Sequence, residues 1–144
     1  MVIAGEWFLC SDDIVRPLIR GEALAFDGSW IQVPFLVDSG ADRTVFSGAL
    51  LTKLGLTPLT VQEGISGLGG AADSVVVETQ IQFTRETGAQ VVFRGRYAAV
   101  TGIDTLDISV LGRDVMDLFA VIVDRPGDVV SLVGQRHCYT IGQI

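Results

Sequence analysis

The sequence is poor in positive charge and in cysteine. Its 144 residues include only 10 Lys and Arg against 17 Asp and Glu, which gives a formal net charge of −7. A nucleic-acid partner is therefore excluded, because binding to a phosphate backbone depends on clustered Lys and Arg. The two cysteines, Cys10 and Cys138, lie near opposite ends without metal-ligand spacing. We accordingly expect two free thiols, no metal and no cofactor.

A long apolar run is missing as well. The chain is 49% hydrophobic with a mean hydropathy of +0.47, yet its longest unbroken apolar stretch is Leu118 to Val123. A membrane-spanning helix needs roughly 20 such residues, so no membrane span is expected. The first ten residues lack the pattern of a signal peptide, which makes the cytoplasm the expected compartment. The excess of apolar residues suits a subunit interface or a substrate groove.

Short segments rich in Val, Ile, Phe and Leu recur between Gly, Asp and Pro, and this pattern is typical of an all-β barrel or sandwich. With no linker or repeat, residues 1–144 are expected to form a single domain. Three hairpins are predicted from their turn residues: Glu22–Phe26 with Ser29–Val37, Val75–Thr84 with Ala89–Ala99, and Phe119–Asp124 with Val129–Val133. Short helices are predicted at Ser47–Leu54 and Arg113–Leu118, and a last strand at His137–Ile141.

The stretch from Phe35 to Phe46, FLVDSGADRTVF, carries the clearest chemical signal. An apolar strand runs directly into Asp38, which places an ionisable group at the end of a buried element, where its environment can tune it. Gly40 permits a sharp turn, and its backbone N–H can approach the carboxylate closely. Taken alone, Asp-Ser-Gly is also an ordinary surface turn.

Two other functions, nucleotide binding and serine hydrolysis, do not fit the sequence. The segment Gly67 to Ala72 fits a nucleotide-binding fingerprint, but a strand follows it, so a phosphate would find no helix N-terminus. A serine hydrolase is excluded because the sequence has no Gly-x-Ser-x-Gly elbow and its only histidine is His137.

The residues on either side of Asp38 favour a functional site over an ordinary surface turn. The apolar pair, Asp, Ser, Gly and Ala, continued by Asp42, Thr44 and Val45, resembles the signature of the retropepsin-like (retroviral-type) aspartic peptidases. A second motif, VLGRDVM from Val110 to Met116, resembles the segment before the family's C-terminal helical turn. Between them, EGISGLGG from Glu63 to Gly70 lies where the family has its flap, a glycine-rich hairpin that covers bound peptide.

The resemblance implies a closed or partly open barrel of the retroviral protease type with one or two short helices. It also implies an aspartic endopeptidase, in which a water activated between two Asp38 carboxylates hydrolyses a peptide bond. The chain has this motif once, so a second Asp38 must come from a symmetric partner. The expected partners are therefore a second copy of the chain and a peptide or protein substrate.

The same resemblance assigns supporting roles. Ser39 is expected to bond across the two-fold axis, and Arg113 to pair with Asp42. The other expected site residues are Gly40, Ala41 and Thr44 beside Asp38, and Ile65, Ser66, Gly67 and Leu68 in the flap. Asp114 is expected to cap the short helix. Two alternatives stay open: a catalytically silent peptide-binding or dimerisation module on the same fold, and a domain in which Asp38 is only structural.

Overall fold

Eleven strands and two short helices make up the part of the chain that the computed structural model describes, residues 1–67, 70–134 and 142, with the backbone alone for residues 61–67 and 70–72. The strands are β1 Val2–Ala4, β2 Glu6–Leu9, β3 Val15–Leu24, β4 Trp30–Val37, β5 Val45–Phe46, β6 Thr60–Gly67, β7 Gly70–Thr84, β8 Gln90–Val100, β9 Ser109–Leu111, β10 Ala120–Asp124 and β11 Val129–Val133. The helices are α1 Gly48–Leu54 and α2 Arg113–Met116. The protein is thus mostly β with two short helices, and the predicted fold class is confirmed.

The three predicted hairpins are present as β3–β4, β7–β8 and β10–β11. Their turns follow local chemistry: Gly28 has φ 86° in the first and Gly88 has φ 86° in the second, a conformation that glycine adopts without cost. Helix α1 begins after Ser47 and ends at Gly55, whose φ is 62°. Helix α2 ends at Met116, two residues earlier than predicted. The predicted strand at 137–141 lies outside the described residues.

The strands form two sheets. The larger has the order β2-β3-β4-β9-β5-β8-β7-β6, and the smaller has the order β1-β11-β10. Glu22 and Ala23 of β3 also pair with Gln82 and Ile81 of β7, which bends the larger sheet nearly into a ring. The inside of this curved sheet is filled by aromatic and aliphatic side chains. Phe35 packs at its centre, with ring centroids 6.4 Å from Phe46 and 5.8 Å from Phe83.

No helix in the described residues is long and apolar enough to cross a membrane. Strands β1 and β2 and the first half of β3 were not predicted. Strand β1 pairs with β11, which is distant in sequence, and β2 pairs with the first half of β3 across residues 10–14, which contain neither Gly nor Pro as a turn signal. The short strand β9 lies between β4 and β5, and this arrangement builds the candidate site.

Candidate active site

Asp38 follows directly on a strand that is anchored in the core. Val33, Phe35 and Val37 of β4 are buried at 3%, 0% and 8% exposure, as expected for alternate residues of a strand that faces the core. The Asp38 backbone N–H donates to the Leu111 carbonyl oxygen at 3.3 Å, which continues the pairing of β4 with β9 by one residue. The Asp38 side chain is then half-buried, at the point where the strand gives way to the loop.

The loop turns sharply around the Asp38 carboxylate. Its Oδ1 accepts a hydrogen bond from the Gly40 backbone N–H at 2.9 Å, and the Ala41 N–H donates to the Asp38 carbonyl oxygen at 3.1 Å. A Cβ at Gly40 would lie 3.2 Å from Asp38 Oδ1, closer than an ordinary contact. Glycine therefore lets the backbone donor approach the carboxylate, as the sequence indicates. The bond fixes one oxygen and orients the other.

A crossing of strands holds this loop in place. Strand β9 runs parallel to β4 and antiparallel to β5, so the 38–44 loop that connects β4 to β5 must cross the end of β9. The backbone of the segment after β9 forms hydrogen bonds with the loop. The Arg113 N–H donates to the Ala41 carbonyl at 2.9 Å, and the Asp114 N–H donates to the Asp42 carbonyl at 3.2 Å. The two motifs found in the sequence are thus in direct contact.

Gly112 makes this contact possible. A Cβ at this position would lie 2.2 Å from the Arg43 carbonyl carbon and 2.7 Å from the Thr44 nitrogen, distances that no side chain tolerates. The sequence motif contains Gly112, but its role was not predicted. The requirement comes from a neighbour about seventy residues earlier in the chain, which local pattern does not reveal.

Thr44 joins the two segments beneath the loop. It is fully buried, and its hydroxyl donates to Asp114 Oδ1 at 2.7 Å while accepting from the Gly112 N–H at 3.1 Å. The Thr44 backbone N–H donates to the same carboxylate oxygen at 2.9 Å. Asp114 was predicted as the helix cap, and this is wrong: the N-cap of α2 is Gly112, with no side-chain cap bond. The Asp114 carboxylate instead binds Thr44, and it also accepts from the Val115 N–H at 3.0 Å.

Arg113 and Asp42 form an ion pair on the surface of the site, between Arg113 Nη2 and Asp42 Oδ1. Both side chains are well exposed, Arg113 by 49% and Asp42 by 79%. Ser39 and Gly40 are exposed and Ala41 is half-buried. Six of the predicted site residues, from Asp38 to Asp42 together with Thr44, therefore lie on one loop, with Arg113 against it.

A family model described as aspartyl protease matches residues 23–136, which is most of the chain. The chain belongs to the aspartyl protease family. The matched region includes both motifs and the strands that carry them. No curated protein matches the chain significantly.

Two solved structures resemble the fold of this aspartyl protease family member. A retropepsin-like aspartic protease from Rickettsia conorii is 18% identical, covers 92% of this chain and 88% of its own, and superposes with a TM-score of 0.57. The EIAV protease in complex with the inhibitor HBY-793 is 22% identical over 71% of this chain and 86% of its own, with a TM-score of 0.49. At such identities the likeness to the Rickettsia protein concerns the fold.

The predicted flap segment of this family member forms a hairpin. Ile65, Ser66 and Gly67 lie on β6, opposite Ala72, Ala71 and Gly70 of β7. The register shifts between Gln62 and Ile65, as in a bulged strand. Their side chains and Leu68 lie outside the described residues, so the covering role of the segment stays a prediction.

One further titratable group lies close to the site. Burial raises the pKa of Tyr97 to about 12, and the charge of Asp114 adds to the effect. The Tyr97 hydroxyl donates to the Phe93 carbonyl oxygen at 3.0 Å. It is therefore a neutral hydrogen-bond donor at acidic to neutral pH.

One cavity of about 600 Å³ lies elsewhere, between β2, the start of β3 and the loop before β9. Phe8, Leu18 and Asp107 are among its lining residues, and the 38–44 loop does not contribute. The Asp38 loop is the candidate site, because it carries a positioned carboxylate and is in direct contact with the second motif.

Proposed function

We propose that this protein is an aspartic endopeptidase that works as a homodimer and hydrolyses peptide bonds with a water activated between two Asp38 carboxylates. The observation that carries the proposal is the state of Asp38: a half-buried carboxylate at the end of a core strand, with one oxygen held by the Gly40 N–H at 2.9 Å. Membership of the aspartyl protease family supports the same chemistry.

The reaction needs two carboxylates that share one proton. The ionised member takes a proton from the attacking water, while the protonated member donates its proton to the carbonyl oxygen of the substrate. The water oxygen bonds to the carbonyl carbon, and the C–N bond breaks when the leaving nitrogen is protonated. One chain supplies one Asp38, so the second carboxylate comes from a symmetric copy, and the two titrate as a coupled pair.

The neighbours of Asp38 take supporting roles in this proposal. Ser39 is exposed next to Asp38, and its hydroxyl bonds to the partner's loop across the two-fold axis. Asp42, held by Arg113, offers a carboxylate to backbone N–H groups of a bound peptide. The β6–β7 hairpin, which carries Ile65, Ser66 and Gly67, covers the substrate, and Leu68, the next residue in the sequence, is expected to share this role.

The experiment is digestion of an unstructured protein such as casein across acidic to neutral pH, with and without pepstatin. Asp38→Asn should lower the cleavage rate by about 10³-fold or more, because it removes the group that moves protons in both half-reactions. Asp104→Asn is the matched control, since it removes one exposed carboxylate from the loop before β9 and should leave the rate unchanged.

The alternative outcomes are distinct. Cleavage that persists in Asp38→Asn contradicts the mechanism. A wild-type dimer that binds peptide without cleaving it would instead identify a silent peptide-binding module. A folded Asp38→Asn variant, shown by an unchanged circular dichroism spectrum and dimer mass, is required for either conclusion.

A further inference from the structure

A cavity of about 440 Å³ lies at the base of the β6–β7 hairpin. The end of β3, the segment after α1, and the middle of β7 and β8 contribute its lining. It adjoins the hairpin because Glu78 and Gln80, which line it, follow closely on Val76, and Val76 pairs with Thr60 at the start of β6. Its volume is in the range of ligand pockets, roughly 300–1,000 Å³. The 38–44 loop does not line it, so the cavity is separate from the candidate active site.

One part of the lining is apolar and fixed in place. Phe26 is 71% exposed, yet its backbone N–H donates to the Leu54 carbonyl oxygen at the end of α1 at 2.9 Å. Its ring lies against Gly55, where an added Cβ would come within 2.7 Å of a ring carbon. The half-buried Leu24 and Leu56 line the cavity with it. A large aromatic side chain that is held in position and left open to solvent is suited to packing against an apolar group of a ligand.

The cavity also carries a positive charge that is not compensated. Arg94 lines it and is exposed, and in the part of the chain that the structure describes its guanidinium forms no ion pair. Glu78, which lines the cavity too, lies 3.9 Å from Arg96 instead. Two cations and one carboxylate leave a local charge of +1 in a chain of net charge −7. A guanidinium binds a carboxylate through two parallel hydrogen bonds, so the charge of Arg94 is complementary to a carboxylate ligand.

We infer that this cavity binds the C-terminal end of a peptide whose last residue is large and apolar. The α-carboxylate of the peptide pairs with Arg94, and its last side chain packs against Phe26 and Leu56. The half-buried Gln80 offers an amide donor and acceptor to the preceding peptide bond. The inference rests on the proposed function only for the source of the ligand, because a peptidase releases a new C-terminal carboxylate at each cleavage.

The test is isothermal titration calorimetry with the peptide acetyl-Gly-Gly-Phe as the free acid and as its C-terminal amide. The full-length Asp38→Asn chain serves as the starting protein, so that no peptide is cleaved. The acid should bind about tenfold or more tightly than the amide, because only the acid presents a charged acceptor to Arg94. Adding Arg94→Gln should weaken binding of the acid by the same factor and leave binding of the amide unchanged. Lys53→Gln is the matched control, since it removes one exposed positive charge from α1, outside this cavity.

The apolar contact is tested separately. The acid acetyl-Gly-Gly-Gly should bind about tenfold more weakly than acetyl-Gly-Gly-Phe, and Phe26→Ala should remove most of this difference. Decanoate has an apolar chain and a carboxylate but no amide to meet Gln80, so it should bind more weakly than acetyl-Gly-Gly-Phe. Binding of the peptide acid should persist in the presence of pepstatin, because the 38–44 loop does not line the cavity. An unchanged circular dichroism spectrum shows that each variant is folded.

The outcomes separate this inference from the proposed function. Equal binding of acid and amide, unchanged binding of the acid in Arg94→Gln, an equal loss in Lys53→Gln, or no binding at all overturns the inference, whether or not the wild type cleaves casein. Displacement by pepstatin overturns it too, because the peptide would then lie in the active-site groove. Binding of decanoate as tight as that of the peptide would assign the cavity to a lipid instead. Binding of the acid that depends on Arg94, in a protein that cleaves nothing, supports the inference while the proposed function fails.

Discussion

Thr44 is a buried residue whose side chain joins the two motif segments of the site. We expect Thr44→Val, which keeps the shape and removes the hydroxyl, to lower the free energy of unfolding by about 2–4 kcal/mol. The reason is that the Gly112 N–H loses its acceptor and the Asp114 carboxylate loses its shortest hydrogen bond, 2.7 Å from Thr44 Oγ1. Thr44→Ser keeps the hydroxyl and loses one buried methyl, at a cost of about 1 kcal/mol. Urea denaturation measures both, and equal losses would contradict the role of the hydroxyl.

At the same scale, the sequence predicts some contacts and not others. The pairing of Arg113 with Asp42 was expected from the family resemblance and is present. The bond of Thr44 to Asp114 and the close approach of Gly112 to Arg43 were not expected. Both arise from two segments about seventy residues apart that the crossing of β4, β9 and β5 brings together. The sequence motifs include the residues that form such a contact, but they do not show that these residues touch.

At the scale of elements, Ser47, the N-cap of helix α1, connects this helix to strand β9 of the site. The Ser47 side chain accepts from the Leu50 N–H at 3.2 Å, and the Ser47 N–H donates to Ser109 Oγ of β9 at 3.0 Å. Ser47→Ala should lower the free energy of unfolding by about 1 kcal/mol, because it leaves a first-turn N–H of α1 without its acceptor.

Thr52→Ala is the matched control in the same helix. It also deletes a hydroxyl, which donates to the Gly48 carbonyl at 3.0 Å, a group already within the helix. Because Ala has the higher helix propensity, this variant should stay within about 0.5 kcal/mol of wild type. Thermal denaturation compares the two, and a loss in Thr52→Ala as large as in Ser47→Ala would argue against a specific cap.

The elements predicted correctly are those that local chemistry defines. The hairpins end in Asp27-Gly28 and in Thr87-Gly88, and α1 is enclosed by Ser47 and Gly55, all of which are signals within a few residues. Strand β9 has three residues, and its identity comes from β4 and β5 on either side of it. Strand β1 likewise exists because it pairs with β11 near the other end of the chain. Such strands depend on tertiary partners that a sequence window does not contain.

At the scale of the whole molecule, the acidic balance acts on folding and association in opposite directions. The hydrogen bonds from Arg16 lower the pKa of Asp12 from 3.8 to about 2, and the Val2 backbone N–H lowers the pKa of Glu86 below its ordinary 4.5. Because the folded pKa values are the lower ones, these groups stabilise the fold fully above their ordinary values. This stabilisation is lost as the pH falls from about 4.5 towards 2.

Association between copies has the opposite dependence. The net charge of −7 repels two copies at neutral pH and declines as the solution approaches the isoelectric point of about 4.4. We therefore expect dimerisation and peptidase activity to be greatest at mildly acidic pH, at about pH 5 to 6, where repulsion is reduced and the carboxylates that stabilise the fold are still ionised.

Sedimentation and casein cleavage at pH 5, 6, 7 and 8, with urea denaturation at the same values and at pH 3, measure the two trends separately. Asp12→Asn should reduce the loss of stability below pH 4, because it removes the carboxylate in the turn between β2 and β3 that Arg16 binds. Activity that is greatest at alkaline pH would count against a dyad that shares one proton, because both Asp38 carboxylates would then be ionised.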